Sequence, residues 1–161
     1  MQPPTGSENL QAYLLDHLAG SDAALRVLTH LQRAVAGSAP GHMLIGLQRE
    51  FEAERDTVRG LLDESGSMRI SAKRVVAGSS GLVLGALGAG QPGDISFFRA
   101  IEGLAIGVQG KRLLWRAAQD WPASSARRPE FRRLEGQAAD QWERLDAYRR
   151  QLIRATFGET P

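Results

Sequence analysis

The sequence contains no cysteine, which removes disulfide frameworks, thiol nucleophiles and cysteine metal sites together. Histidine is scarce: His17, His30 and His42 all fall within the first 42 residues. No P-loop, Rossmann glycine pattern, G-x-S-x-G or H-E-x-x-H is present. The glycines of LGALGAG lack both the strand–turn–helix setting and the lysine that phosphate binding would want. The N-terminal MQPPTGSENL has no basic region followed by an apolar core, so no signal peptide is expected and the expected location is the cytoplasm. The longest uncharged run, Val75 to Gly93, is broken by Gln91-Pro92-Gly93 and thinned by glycine. It leaves an apolar core of about ten residues, against roughly twenty needed to cross a bilayer. A membrane partner is therefore not expected.

What remains is an ordinary globular composition. At 161 residues, with 42% hydrophobic and 24% charged side chains, the chain reads as one domain able to close a core without staples. The net charge is only +2 although the pI is near 9.5, and the basic residues are almost all arginine. They are densest at Arg127, Arg128, Arg132, Arg133, Arg144, Arg149, Arg150 and Arg154. There Glu130, Glu135, Asp140, Glu143 and Asp146 interleave at ion-pair spacing, and no aromatic residues accompany them on the outer face. That pattern describes a solvated helix face and argues against a nucleic-acid partner.

Periodicity predicts four long helices. After a frayed tail over residues 1–8, the first runs from about residue 8 to 36, with Leu14, Leu18, Ser21, Leu25, Leu28, Gln32 and Val35 alternating at spacings of four and three. GSAPG then breaks the chain tightly enough to force an antiparallel hairpin. The second helix, from about His42 to residues 64–66, repeats Leu44, Leu47, Phe51, Val58 and Leu61, with Glu54 standing where an apolar residue is expected. The third, capped by Asp94 and stopped by Trp121-Pro122 near Asp120, places Phe97, Ile101, Leu104, Val108 and Trp115 inside. Gly103, Gly107 and Gly110 form a small-residue edge expected to mark close helix contact. The fourth, about residues 130–157, places Phe131, Leu134, Ala138, Gln141, Leu145, Tyr148, Leu152 and Ala155 inside and ends at Gly158. The expected fold is an all-α four-helix bundle over residues 1–161. Its middle connection, residues 65–94, is long enough to return along the whole bundle, about 35 Å for helices of this length, as a partly helical crossover.

The pattern YLLDHLAGSDAALRVLTHL, a glycine-proline break, then REFEAERDTVRGLLDESG resembles the first hairpin of ferritin-like bacterial proteins of the YciF type and of ferritin-like relatives with no assigned activity. The resemblance implies a ferritin-like bundle, with second and third helices parallel and joined by the crossover. It also poses a test, because ferritin-like di-iron sites take one glutamate from each of two helices and Glu-x-x-His from each of the other two. Here no histidine lies three residues after Glu50, Glu52 or Glu54, the fourth helix has no histidine, and the third offers only Glu102. The di-iron set is not retained, and no cofactor is expected.

Glu54 is the informative residue. An ionised carboxylate on a buried seam needs a partner or a raised pKa. The expected partner is Ser21, Gln141 or Arg112, and the competing reading makes Glu54 a metal ligand. Asp16 and His17 are adjacent, hence about 100° apart on a helix, and do not form an acid–base pair. Trp115, Trp142 and Tyr148 read as core aromatics. Two functions remain: a bundle without a di-iron centre, serving as a structural or interaction module that self-associates, or a divergent metal-binding or redox bundle using Glu54, Glu50, Glu102 and Glu143.

Overall fold

The computed structural model describes residues 5–65, 90–122 and 125–158. Four long helices carry nearly all of them: α1 (Gly6–Ala34), α2 (Ala39–Glu64), α3 (Ile95–Ala118) and α4 (Arg128–Phe157), the last entered through a short 3-10 turn, Ser125–Arg127. Among the described residues there is no strand, and no helix is long and apolar enough to cross a membrane. The connection expected as a crossover falls largely on residues 66–89, outside the described residues.

Local chemistry sets each helix end. Thr5 accepts a hydrogen bond from the Glu8 amide through Oγ1 (3.3 Å), and Glu8 Oε2 accepts from the Thr5 amide (2.7 Å). This reciprocal cap starts α1 at Gly6, so residues 6–8 belong to the helix, with Thr5 as its cap, rather than to the expected tail. Gly37 adopts φ +75°, a left-handed turn that only glycine takes without strain. Ser38 then caps α2, accepting from the Gly41 amide (3.2 Å) while its hydroxyl donates to the Val35 carbonyl (2.6 Å). Asp94 holds the cap position of α3 with extended backbone, but its carboxylate accepts from the Gln91 amide (2.7 Å) and caps no helical N–H. Pro129 sits in the first turn of α4, where the missing N–H costs nothing. That helix begins two residues earlier than its periodicity suggests.

Side-chain pairs fix the directions. Gln32 meets Gln48, Asp22 meets Arg55 and Gln11 meets the Ser65 carbonyl, so α1 and α2 are antiparallel. Phe97 packs edge-on against Tyr148 and Trp115 stacks on Phe131, so α3 and α4 are antiparallel. Arg144 pairs with Glu50 and Arg127 with Glu64, so α2 and α4 are antiparallel as well. It follows that α2 and α3 run the same way. Contacts between backbones join α1 with α2, α3 with α4, α1 with α3 and α2 with α4, leaving α2–α3 and α1–α4 as diagonals.

The core lies between these four faces. All the inner positions expected of α2 and α3 are buried, and so are those of α4 from Phe131 to Leu152. Ala155 is exposed instead, although Phe157 in the same last turn packs edge-on against Phe98 of α3. The close contact expected at the glycine edge of α3 does not occur at Gly107 or Gly110. A Cβ built at either would meet nothing within 4 Å, since the helix turns that edge away from its neighbours. Ile106 and Leu113 share the outward face, each 59% exposed.

Candidate functional site

Glu54 is where its periodicity puts it, 1% exposed on the inner face of α2. Its two oxygens have different partners. Oε1 accepts from Gln141 Nε2 of α4 at 2.7 Å. Oε2 is in direct ion-pair contact with Lys111 Nζ of α3. The ammonium also lies over the Phe51 ring, 3.6 Å from its centroid, so the cation has a carboxylate on one side and a π face on another. One turn earlier on α2, Glu50 Oε2 accepts from the same Gln141 Nε2 (3.0 Å) and from Arg144 (2.6 Å). Two carboxylates, one ammonium, one guanidinium and one amide thus form a single cluster drawn from three helices.

Formal charge in the cluster balances: Glu50 and Glu54 against Lys111 and Arg144. Burial pushes the Lys111 ammonium below the usual lysine range, while the Glu54 and Glu50 charges oppose that displacement without cancelling it. Burial pushes the Glu50 carboxyl up. The hydrogen bonds from Arg144 and Gln141, with the charges of Arg144 and Lys111, outweigh burial and hold it below the ordinary carboxylate range. The Gln141 amide is oriented by this arrangement, since only its nitrogen can donate to the two carboxylates. Its oxygen consequently has no hydrogen-bond partner among the described residues.

Of the three expected partners for Glu54, only Gln141 holds it. Ser21 does not reach across, because its hydroxyl donates to the His17 carbonyl of its own helix (2.9 Å), the back-bonding usual for serine inside a helix. Arg112 points about 100° away from Lys111 and lies near Glu135 at 3.9 Å. Lys111 was missed by the sequence reading. The available signal was the gap of seven between Val108 and Trp115, whose intermediate seam position is Lys111.

The four carboxylates of the metal-binding reading are not brought together. Glu54 and Glu50 share the cluster. Glu102, on the rim of α3, lies 3.7 Å from Arg149 with nearly half its side chain exposed, and Glu143 is exposed on the outer face of α4. Among the described residues no group of three or more carboxylate or imidazole side chains could hold a metal ion.

Elsewhere the polar chemistry is that of paired surfaces. Arg127 bridges Glu64 and Glu130, Arg116 binds Glu135, and Arg149 and Arg150 close over Asp146. His17 stacks edge-on with Tyr13 at 4.6 Å, and burial holds its imidazole below the usual histidine range against the pull of Asp16. Comparison with known proteins finds no matching family, no matching curated protein and no matching solved structure.

Proposed function

We propose that the chain is a ferritin-like helical bundle whose polar centre is structural, and that it serves as an interaction module, associating with a second copy through the outer face of α3. The observation that carries the first part is Lys111. In a carboxylate-rich bundle centre a metal would supply positive charge between the glutamates. Here an ammonium on a four-carbon stem supplies it from within the chain, Gln141 holds the other oxygen of Glu54, and Gln141 and Arg144 together hold Oε2 of Glu50. A cation would have to displace these bonds to enter.

The ferritin-like reading is supported by the helix directions. Parallel α2 and α3 on a diagonal, each flanked by antiparallel neighbours, is the arrangement such a chain path requires. The self-association reading is supported by the outer face of α3, where Ile106 and Leu113 stand exposed and Gly107 and Gly110 leave room for close approach by another helix.

Sedimentation velocity on the purified protein across the micromolar range, with metal analysis of the same samples, tests both parts. A concentration-dependent dimer that becomes monomeric in Leu113→Glu and Ile106→Glu is the expected result. A wild-type protein monomeric throughout would overturn the association. Stoichiometric iron or manganese that disappears in Glu54→Ala would overturn the structural reading and restore the divergent metal-binding or redox one.

A further inference from the structure

We infer, resting on the self-association proposed above, that the two copies meet through α3 in antiparallel orientation, about a two-fold axis passing between Gln109 and Gly110.

Four outward residues of α3 recur every seven positions: Arg99, Ile106, Leu113 and Asp120. All four are exposed, on the side of the helix turned away from the core. Asp120 belongs to the turn that prolongs α3 past Ala118, its amide still bonded to the Ala117 carbonyl (3.1 Å). A stripe with this repeat drifts by about 20° per seven residues on a straight helix, which suits a shallow left-handed crossing with a second helix. Ile106 and Leu113 lie equally far from the point between Gln109 and Gly110, and so do Arg99 and Asp120. A copy of α3 reversed about that point therefore sets Ile106 against Leu113 of the second copy, and Leu113 against its Ile106.

Charge decides between the two orientations. Inside the outer pair, Glu102 and Arg116 lie along the edge of the stripe nearest α4, with side chains 46% and 57% exposed. In an antiparallel two-fold pair, like edges of the two helices lie side by side. Arg99 then stands beside Asp120 of the second copy, and Glu102 beside its Arg116, each pairing occurring twice by symmetry. Parallel copies would instead set Arg99, Glu102, Arg116 and Asp120 each against its own counterpart, a like-charge contact at every level. Glu102 and Arg116 also have partners within their own chain, Arg149 and Glu135. Arg99 and Asp120 have no ion-pair partner among the described residues. Neither sign is favoured by the α3 dipole, which prefers acid toward the N-terminus and base toward the C-terminus. A reversed second copy supplies the partner that both lack.

The experiment reads association and orientation separately. Sedimentation velocity gives the dimer constant of wild type, Arg99→Glu, Asp120→Arg and the double variant. Each single change sets like charges together at both ends of the pair and should weaken the dimer about tenfold at low ionic strength. That difference should fade as salt is raised. The double variant exchanges the two signs and should return the constant to that of wild type. Both positions are exposed, so the denaturation midpoint should stay in place in all variants. For the orientation, a nitroxide is attached at Ile95→Cys, the first residue of α3 and clear of these contacts, in a chain with no other cysteine. Antiparallel copies hold the two labels about 44 Å apart along the helices, twice the rise from residue 95 to the two-fold point. Parallel copies hold them about 10 Å apart. The long distance, together with recovery in the double variant, is the expected result. A short or intermediate distance, or a double variant no tighter than the single ones, overturns antiparallel pairing while leaving association itself in place. A wild-type protein monomeric throughout overturns both.

Discussion

Removing Lys111 alone should strand a buried charge. Lys111→Met keeps the length of the stem and deletes the ammonium, leaving Glu54 1% exposed with a single hydrogen bond from Gln141. Stranding one member of a buried ion pair costs roughly 3–5 kcal/mol. The carboxylate has an escape, which is to take up a proton. For a glutamate of ordinary acidity near 4.3, protonation at pH 7 costs about 3.7 kcal/mol, from about 1.36 kcal/mol for each of about 2.7 pH units. The loss at pH 7 is therefore bounded near that figure. It should shrink by about 1.4 kcal/mol for each unit by which the pH is lowered toward 4.5. In thermal terms the deficit at pH 7 is about 7–15 °C for a chain of this size. Urea titrations of wild type and variant at pH 7, 6 and 5, compared at equal slope, read it directly. A difference below about 1 kcal/mol at pH 7, or one that stays constant with pH, would refute the claim that Lys111 neutralises a buried carboxylate.

Three further outcomes follow from the geometry. Arg144→Ala should cost about 1 kcal/mol at neutral pH, a figure kept small because both partners are partly solvated. Glu50 is held below its unfolded value, so this contribution is present above the ordinary carboxylate range and lost as pH falls through the depressed one; the wild-type and variant stability curves should converge in acid. Among glycines, Gly41→Ala puts a Cβ 2.4 Å from the Val35 carbonyl oxygen and should lose about 1–3 kcal/mol. Gly107→Ala meets nothing within 4 Å and should gain up to about 1 kcal/mol in the isolated bundle, while weakening association if a second copy docks there. Denaturation and sedimentation of the same two variants check both statements.

The four helices were legible because each buries one stripe, and a stripe alternating by three and four residues is visible without coordinates. Glu54 and Gln141 were legible for the same reason, as polar residues occupying stripe positions on α2 and α4. Lys111 occupies a stripe position too, but lysine ordinarily carries its charge out to water. Only the third dimension shows that its stem runs inward to Glu54. The neighbouring Arg112, which the sequence offered instead, shows what one residue of helical phase is worth: it leads to Glu135 on a different side of the bundle. Glycine spacing on α3 likewise gave the edge without its direction, since a stripe of small residues looks the same whether it faces a neighbour or solvent. The N-terminal turn was misread as tail because Pro3, Pro4 and Gly6 outweighed the capping pair Thr5 and Glu8, whose reciprocal bonds depend on geometry.

The buried ammonium also gives the molecule an internal clock. The chain has two lysines, Lys73 and Lys111, and the nitrogen of Lys111 is shut off from solvent beneath Phe51 and Glu54. An amine-selective reagent can acylate it only after the helices separate. The rate of modification at that one site, followed by mass spectrometry under native conditions, therefore measures how often the bundle opens at its centre. No foreign probe has to be built into the core to obtain it.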